Sequence, residues 1–309
     1  MANDDCPARM LAWTRPQVPI EFNLGAKAGA VFAGSMPRIP LEDNFDDVIN
    51  KAQCGLQISD ADLAVRACVS ARDLEAVKAG QPIDAVLRRI ARHLHLSPDA
   101  LEALAHKRWY PDLPAFPEGF AAFNTPYDGI TVNSYLIWDA RERLAAAFDT
   151  GATCDRMLDL LNSEKLTLCY VFLTHAHEDH IADLPRLVRE TKAEVWHHEL
   201  EPLEFAGAKT FKESAHFHVG HLAIKTILTS GHSPGMTSYF VTGLSWPLAL
   251  VGDAVFASSM GGSATHYREQ LQNNREKILT LPRNTVLACG HGPLTTLAQE
   301  KRHNPFFTR

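Results

Sequence analysis

Thr174-His175-Ala176-His177-Glu178-Asp179-His180 is the stretch on which the reading of this chain turns. It follows the apolar run Leu166–Leu173, which has the length and composition of a buried strand. After it, Leu184, Leu187 and Val188 recur at helical spacing within a segment from Ile181 to Glu190. Three histidines and one aspartate are thus crowded into a strand-to-helix turn. Imidazole and carboxylate are the donors that borderline divalent metals favour. With 15 His in 309 residues, the pattern His-x-His-x-Asp-His arises by chance in only about two such chains per thousand.

Three further places carry one possible ligand each beside a glycine, at the end of an apolar segment. They are Gly231-His232-Ser233-Pro234-Gly235, Gly252-Asp253 and Cys289-Gly290-His291-Gly292-Pro293. Glycine there permits tight turns and close backbone approach. Alone, His232 and His291 would be ordinary turn histidines and Asp253 a turn or cap residue. In company with the first motif they read as ligands.

This set of motifs resembles the metallo-β-lactamase superfamily, and within it the glyoxalase II-like hydrolases. The ending from Gly290-His291-Gly292-Pro293 to Asn304-Pro305-Phe306-Phe307 is similar to the ends of short glyoxalase II-like proteins. The resemblance covers residues 119–309. It implies an α/β fold, a four-layered αβ/βα sandwich with metals at one edge of the sheets. It also implies that His175, His177 and His232 hold one divalent metal and that Asp179, His180 and His291 hold a second. Asp253 would bridge the two, together with a hydroxide. Zinc is the expected ion for both, with iron or manganese as alternatives, because histidine-carboxylate sites accept all three. The implied reaction is attack of the bridging hydroxide on a thioester, ester or lactone carbonyl, with Asp179 steering protons. Asp149, in Asp149-Thr150-Gly151, reads as a turn aspartate accepting backbone hydrogen bonds rather than as a ligand.

Gly262 stands where many members of the family carry an arginine, which weakens the case for a glutathione thioester. Lys209, Lys212, Tyr267 and Arg268 are candidate replacements, with solvated surface charge the plainer account. One alternative activity on the same fold is a mononuclear iron persulfide dioxygenase using His175, His177 or His232, and Asp253. Another is a non-enzymatic, metabolite-sensing regulator. His197-His198 and His216-x-His218-x-x-His221 offer a second histidine-rich place. No carboxylate or cysteine joins them at coordinating spacing, so they read as exposed edge or loop positions.

Composition narrows the setting. A content of 46% hydrophobic and 21% charged residues supports a packed core, and a net charge of −6 argues against general nucleic-acid affinity. The acidic start, Met1-Ala-Asn-Asp-Asp-Cys6, has no apolar core of a signal peptide. Apolar runs such as Trp246–Val251 are too short to span a bilayer, so no membrane partner is expected. The six cysteines are scattered without Cys-x-x-Cys pairs, and Cys169 and Cys289 fall inside strands. Buried free thiols in a reduced, cytoplasmic setting are the expectation.

Residues 1–40, with five prolines, read as an irregular extension. Residues 41–110 read as a small helical domain. Helices are expected from Phe45 to Gln53, after Ser59 or Asp60, after Ser70 to Gly80, from Pro82, and from Ser97-Pro98. The pattern Leu63-Ala64, Val69-Ser70, Leu74, Gly80, Leu87, Ile90-Ala91, Leu94 resembles a Cro/C1-type helix-turn-helix, with Cys68 where that family often has glycine. Residues 41–118 hold 9 basic and 13 acidic side chains, the opposite of a DNA reader's basic footprint. A docking or homodimerisation module is therefore at least as apt as a DNA-binding one. Pro111–Glu118 reads as a linker to the catalytic domain, 119–309. Within that domain, strands are expected at Val132–Trp138, Leu144–Phe148, around Val195, Leu222–Leu228, Ser238–Val241, Leu248–Val251 and Thr285–Ala288. Helices are expected at Cys154–Leu161 and Tyr267–Leu281, with residues 199–220 an irregular lid or substrate loop.

Overall fold

The chain first forms a run of short helices whose starts are fixed by local hydrogen bonds. The computed structural model describes residues 38–308, so the expected extension 1–40 lies almost wholly outside the described residues. Helix α1 (Phe45–Gly55) opens where the Asn44 amide donates to the Asp47 carboxylate at 2.9 Å. Ser59 caps α2 (Asp60–Ala67), Ser70 caps α3 (Ala71–Lys78) and Ser97 caps α5 (Pro98–Ala105), each accepting from an amide three residues on. Between them, α4 (Asp84–His93) starts after Ile83 rather than at Pro82. Cys68 takes the left-handed conformation, φ 51°, that makes glycine common at such a turn.

Two six-stranded sheets follow. The first has the spatial order β1 (Phe120–Tyr127), β2 (Ile130–Trp138), β3 (Leu144–Phe148), β4 (Thr167–Phe172), β5 (Glu194–His198), β6 (Lys209–Phe211). β1 was not anticipated: Ala121, Ala122 and Pro126 are poor strand formers, and its partner β2 and burial override them. The second sheet runs β12 (Thr295–Thr296), β11 (Val286–Cys289), β10 (Leu248–Gly252), β9 (Thr237–Thr242), β8 (Leu222–Leu228), β7 (His216–Val219). Residues 199–220 are therefore not a lid. They hold β6 and β7, which finish one edge of each sheet.

Phe148, Phe172, Tyr239 and Leu250 fill the space between the sheets. The outer face of the first sheet is covered by α6 (Asp155–Ser163), α7 (Glu178–Ile181) and α8 (Leu184–Thr191), through Met157, Leu161, Leu184 and Leu187. The helix expected from Ile181 to Glu190 is thus two helices. Pro185 has no amide to continue a helix and sits in the first turn of a new one. Over the second sheet lie α9 (Tyr267–Asn273), which continues as a π-helical turn at Asn274–Ile278, and α10 (Leu297–His303). The result is the expected four-layered α/β sandwich.

The N-terminal helices share one apolar cluster with this second face. Leu63, Leu74, Leu87, Ile90 and Leu101 pack into the same core as Val251, Phe256, Met260, Tyr267 and Phe306. Further contacts reinforce the seam: the Ser97 amide donates to Pro305 O at 2.8 Å, and Trp109 stacks on His303 at 4.8 Å. Among the described residues Cys68, Cys154, Cys169 and Cys289 are free thiols, with Cys169 half-buried rather than buried. Among them, too, no helix is long and apolar enough to cross a membrane.

Candidate metal centre

Strand ends and the short helix α7 deliver the candidate ligands to one edge of the sandwich. His175 follows β4, His232 follows β8, Asp253 follows β10 and His291 follows β11. The structure brings all seven residues singled out by the sequence together. His175 Nε2 lies 3.0 Å from His177 Nδ1, which lies 3.1 Å from His232 Nε2. Beside this trio, His291 Nε2 is 3.2 Å from Asp179 Oδ2 and 3.4 Å from His180 Nε2. Asp253 joins the two groups: its Oδ1 is 3.4 Å from His180 Nε2, and its Oδ2 is 3.4 Å from His232 Nε2 and 3.6 Å from His291 Nε2. A metal with ligands at about 2.0–2.1 Å in tetrahedral array holds neighbouring donors about 3.3 Å apart. The observed spacings match.

The donor set fits cations on other grounds too. Three ring nitrogens of the first group converge on one point, where one cation satisfies three lone pairs at once. Asp253 Oδ1 is buried and accepts no hydrogen bond, a costly state unless something positive faces it. Burial would push the Asp253 carboxyl up, but His291 and His180 hold it well below the usual range. His175 and His180 are fully buried, Asp253 and His291 5% exposed, whereas His177, Asp179 and His232 are half-buried and mark the open side.

The far side of four rings is pinned. His291 Nδ1 is 2.7 Å from Thr131 O and His232 Nδ1 is 2.8 Å from Gly262 O; each ring donates there, which leaves its Nε2 as a lone pair facing the centre. His180 Nδ1 is 2.9 Å from Asp149 Oδ2, and His175 Nδ1 is 3.0 Å from Thr174 Oγ1. Asp149 also accepts the Thr174 amide, in the structural role read from its turn. Asn133 Nδ2 and the Tyr135 hydroxyl donate to Cys289 O at 3.0 and 2.6 Å, fixing the turn before His291 from the opposite sheet. Gly290 has no substitute: a Cβ there would lie 2.1 Å from Asp253 Oδ1 and 2.7 Å from His180 Cε1.

One participant escaped the sequence reading. Glu201, 5% exposed, accepts the Ala176 amide at 2.9 Å through Oε1, and the Ser233 hydroxyl at 2.8 Å and Gly235 amide at 2.9 Å through Oε2. It ties the His175-Ala176-His177 segment to the His232 loop. A lone glutamate in an apparently irregular stretch gave no local signal. The other histidines stay outside the centre. His197 and His198 are buried, not exposed as expected, because β5 is an inner strand of its sheet. His216 and His218 are exposed on β7, and His221 pairs with the buried Asp139 at 2.7 Å. Lys209 and Lys212 pair with Glu194 and Glu199, Tyr267 is buried against Gly55, and Arg268 is exposed.

Residues 127–291 match the Metallo-beta-lactamase superfamily. The probable metallo-hydrolase YqgX of Bacillus subtilis is 30% identical over 203 residues, 59% of this chain and 94% of the relative. Hydroxyacylglutathione hydrolase GloC of Haemophilus influenzae is 26% identical over 204 residues, 59% of this chain and 95% of the relative. The crystal structure of the BLEG-1 B3 metallo-beta-lactamase aligns with a TM-score of 0.55 at 29% identity, covering 61% of this chain and all of the other. Two facing sheets, ligand turns at their shared edge and a match over that same stretch agree: the chain belongs to the metallo-beta-lactamase superfamily.

Proposed function

We propose that this protein is a metal-dependent hydrolase that cleaves a thioester, ester or lactone. The observation that carries this reading is the placement of Asp253, with one oxygen toward His180 and the other toward His232, at 3.4 Å each. A carboxylate so placed suits two cations. His175, His177 and His232 would hold the first, Asp179, His180 and His291 the second, and Asp253 both. A bound pair of divalent metals supplies a water of pKa about 7 and polarises the scissile carbonyl.

The chain's own side chains do the rest. The pinned Nδ1 atoms keep the imidazoles aimed, so no reorganisation is needed when charge develops. Buried His175 and His180 close the back of the centre to solvent. Asp179, half-buried with Oδ2 3.2 Å from His291 Nε2, is placed to hold a proton for the leaving group. No serine or cysteine nucleophile is required.

The names of the Bacillus and Haemophilus relatives support hydrolysis. Asp179, His180 and His291 offer a second cation a ligand set, and the loop after Asp253 lacks the arginine that goes with the mononuclear iron dioxygenase. The helices of residues 45–105 are read as a fixed part of the enzyme, since their core is continuous with the sandwich. Nanomolar sequence-specific DNA binding in a gel shift would sink that part of the reading. The deciding measurement is metal content per chain alongside turnover of lactoylglutathione and of an uncharged acyl thioester. Two zinc or manganese ions with thioester cleavage is the expected result. One iron with oxygen consumption would overturn it.

A further inference from the structure

The segment leading into α1 is fastened against the metal centre from two sides. Asp43 accepts from the Ser259 hydroxyl and from Lys51, and Lys51 Nζ donates to Met260 O at 2.9 Å. These contacts bind the segment to the loop that follows Asp253. On the other side, Glu42 lies against the turn of His291: a Cβ on Gly292 would be 3.0 Å from Glu42 N and 3.4 Å from Glu42 Cβ. The two anchoring loops adjoin at the second ligand group, where the Phe256 ring meets His291 edge-on at 5.7 Å. Glu42 is half-buried there, and among the described residues its carboxylate has no hydrogen-bond or ion-pair partner.

The nearby cation is already committed. Lys51 is engaged by Asp43 and Met260 O and lies over the Phe256 ring at 5.1 Å. The hairpin of β1 and β2, whose Thr131 O meets His291, and the ligand turn add exposed Asp128 and Glu178, the latter accepting from the Tyr127 hydroxyl at 3.3 Å. The loop Gly261-Gly262-Ser263 brings no arginine or lysine. An anionic group on a bound substrate would therefore meet unpaired negative charge, whereas an ammonium would find a partner.

We infer that Glu42, supplied by the segment preceding the first helix, is a specificity-determining residue that makes the metal centre select acyl substrates bearing a cationic or uncharged group over anionic ones. This deepens the hydrolase reading and rests on it for the word substrate. The charge selection itself can be measured without turnover. The comparison is made at about pH 8, well above the ordinary range of a glutamate carboxyl.

The probes are cysteamine and 3-mercaptopropionate, two small thiols that anchor on a metal and differ in the charge at the other end. Binding to the zinc-loaded full chain is followed by calorimetry. One unit of charge acting across a part-buried cleft gives a preference of about tenfold. Cysteamine should bind the wild type about tenfold more tightly. Glu42→Gln, close to isosteric, should bring the two affinities to within about twofold, and Glu42→Lys should reverse their order, with zinc content unchanged in both. Equal affinities in the wild type, no binding of either thiol, or an unchanged ratio in Glu42→Gln overturns the inference. The thioester assay keeps the two failures apart. Turnover with an unmoved ratio removes Glu42 alone; a shifted ratio without turnover of any acyl substrate removes the reaction alone.

Discussion

Asp149 Oδ2 lies 2.9 Å from His180 Nδ1, and both side chains are buried. Asp149 adopts φ 56° at the end of β3, and its other oxygen takes the Thr174 amide at 2.8 Å. One carboxylate thus sets the ring of a second-group ligand and the start of the first-group motif. Asp149→Asn presents an amide N–H to His180 Nδ1 and favours the proton on Nε2, the nitrogen meant for metal. The affinity of the second metal should fall about 10–100-fold, with the first retained. Titration against a chelator reads this; two unperturbed affinities would exclude it.

Glu201 should govern the other group. Two of its three donors are buried and the third is part-buried, so Glu201→Ala leaves the Ala176 and Gly235 amides and the Ser233 hydroxyl without this partner and frees the His232 loop from the His175–His177 segment. First-group metal affinity should drop about 10–100-fold, while the second group still binds. In the cobalt-substituted protein the absorption of the first site should change selectively. Equal weakening at both sites would mean that Glu201 only stabilises the fold.

His180 and His218 make a matched contrast. His180 is fully buried at the centre, and His218 is exposed on β7. His180→Ala should leave about one metal per chain and lower thioester hydrolysis by at least about a hundredfold, whereas His218→Ala should alter neither beyond twofold. Comparable losses from both would show that the ligand assignment is wrong.

Glu300 links stability to pH away from the metals. It is fully buried, accepting from Thr295 Oγ1 at 2.7 Å, Asn304 Nδ2 at 2.8 Å and the Ser258 amide at 3.0 Å. Burial raises its carboxyl to about 7, with those donors pulling against it. The folded state therefore binds the proton more tightly than the unfolded chain. The associated stability is fully present below pH 4.5 and is lost as pH rises through about 7. The loss amounts to about 3 kcal/mol at most. Glu300→Gln should flatten this part of the pH profile in urea denaturation, because glutamine can accept from Ser258 and Asn304 and donate to the Thr295 hydroxyl. A slope identical to wild type would discount Glu300.

The helix starts at Ser59, Ser70 and Ser97 were legible because a cap is a contact three residues long. The same holds for Leu222–Leu228 and Leu248–Gly252, whose apolar residues announce a strand without reference to a partner. β1, β6 and β7 were not legible. They are ordered by a neighbouring strand, and Pro126 in β1 and the shortness of β6 and β7 obscure the strand preference of their Phe, Thr and Val residues. Pro185 shows the opposite failure: a local breaker was in view, and the apolar periodicity on both sides masked it.

The chain itself specified the seven donor side chains and the glycines that let them approach, since metal-binding chemistry depends on residue type and short spacing. Only the tertiary structure decided which oxygen of Asp253 faces which histidine, that Glu201 and Asp149 tie the two donor groups in place, and that Glu42 lies against the His291 turn. Those relations join residues that are tens to hundreds of positions apart. They exist only once two sheets are stacked and an N-terminal segment is fastened across their edge, which no local pattern encodes.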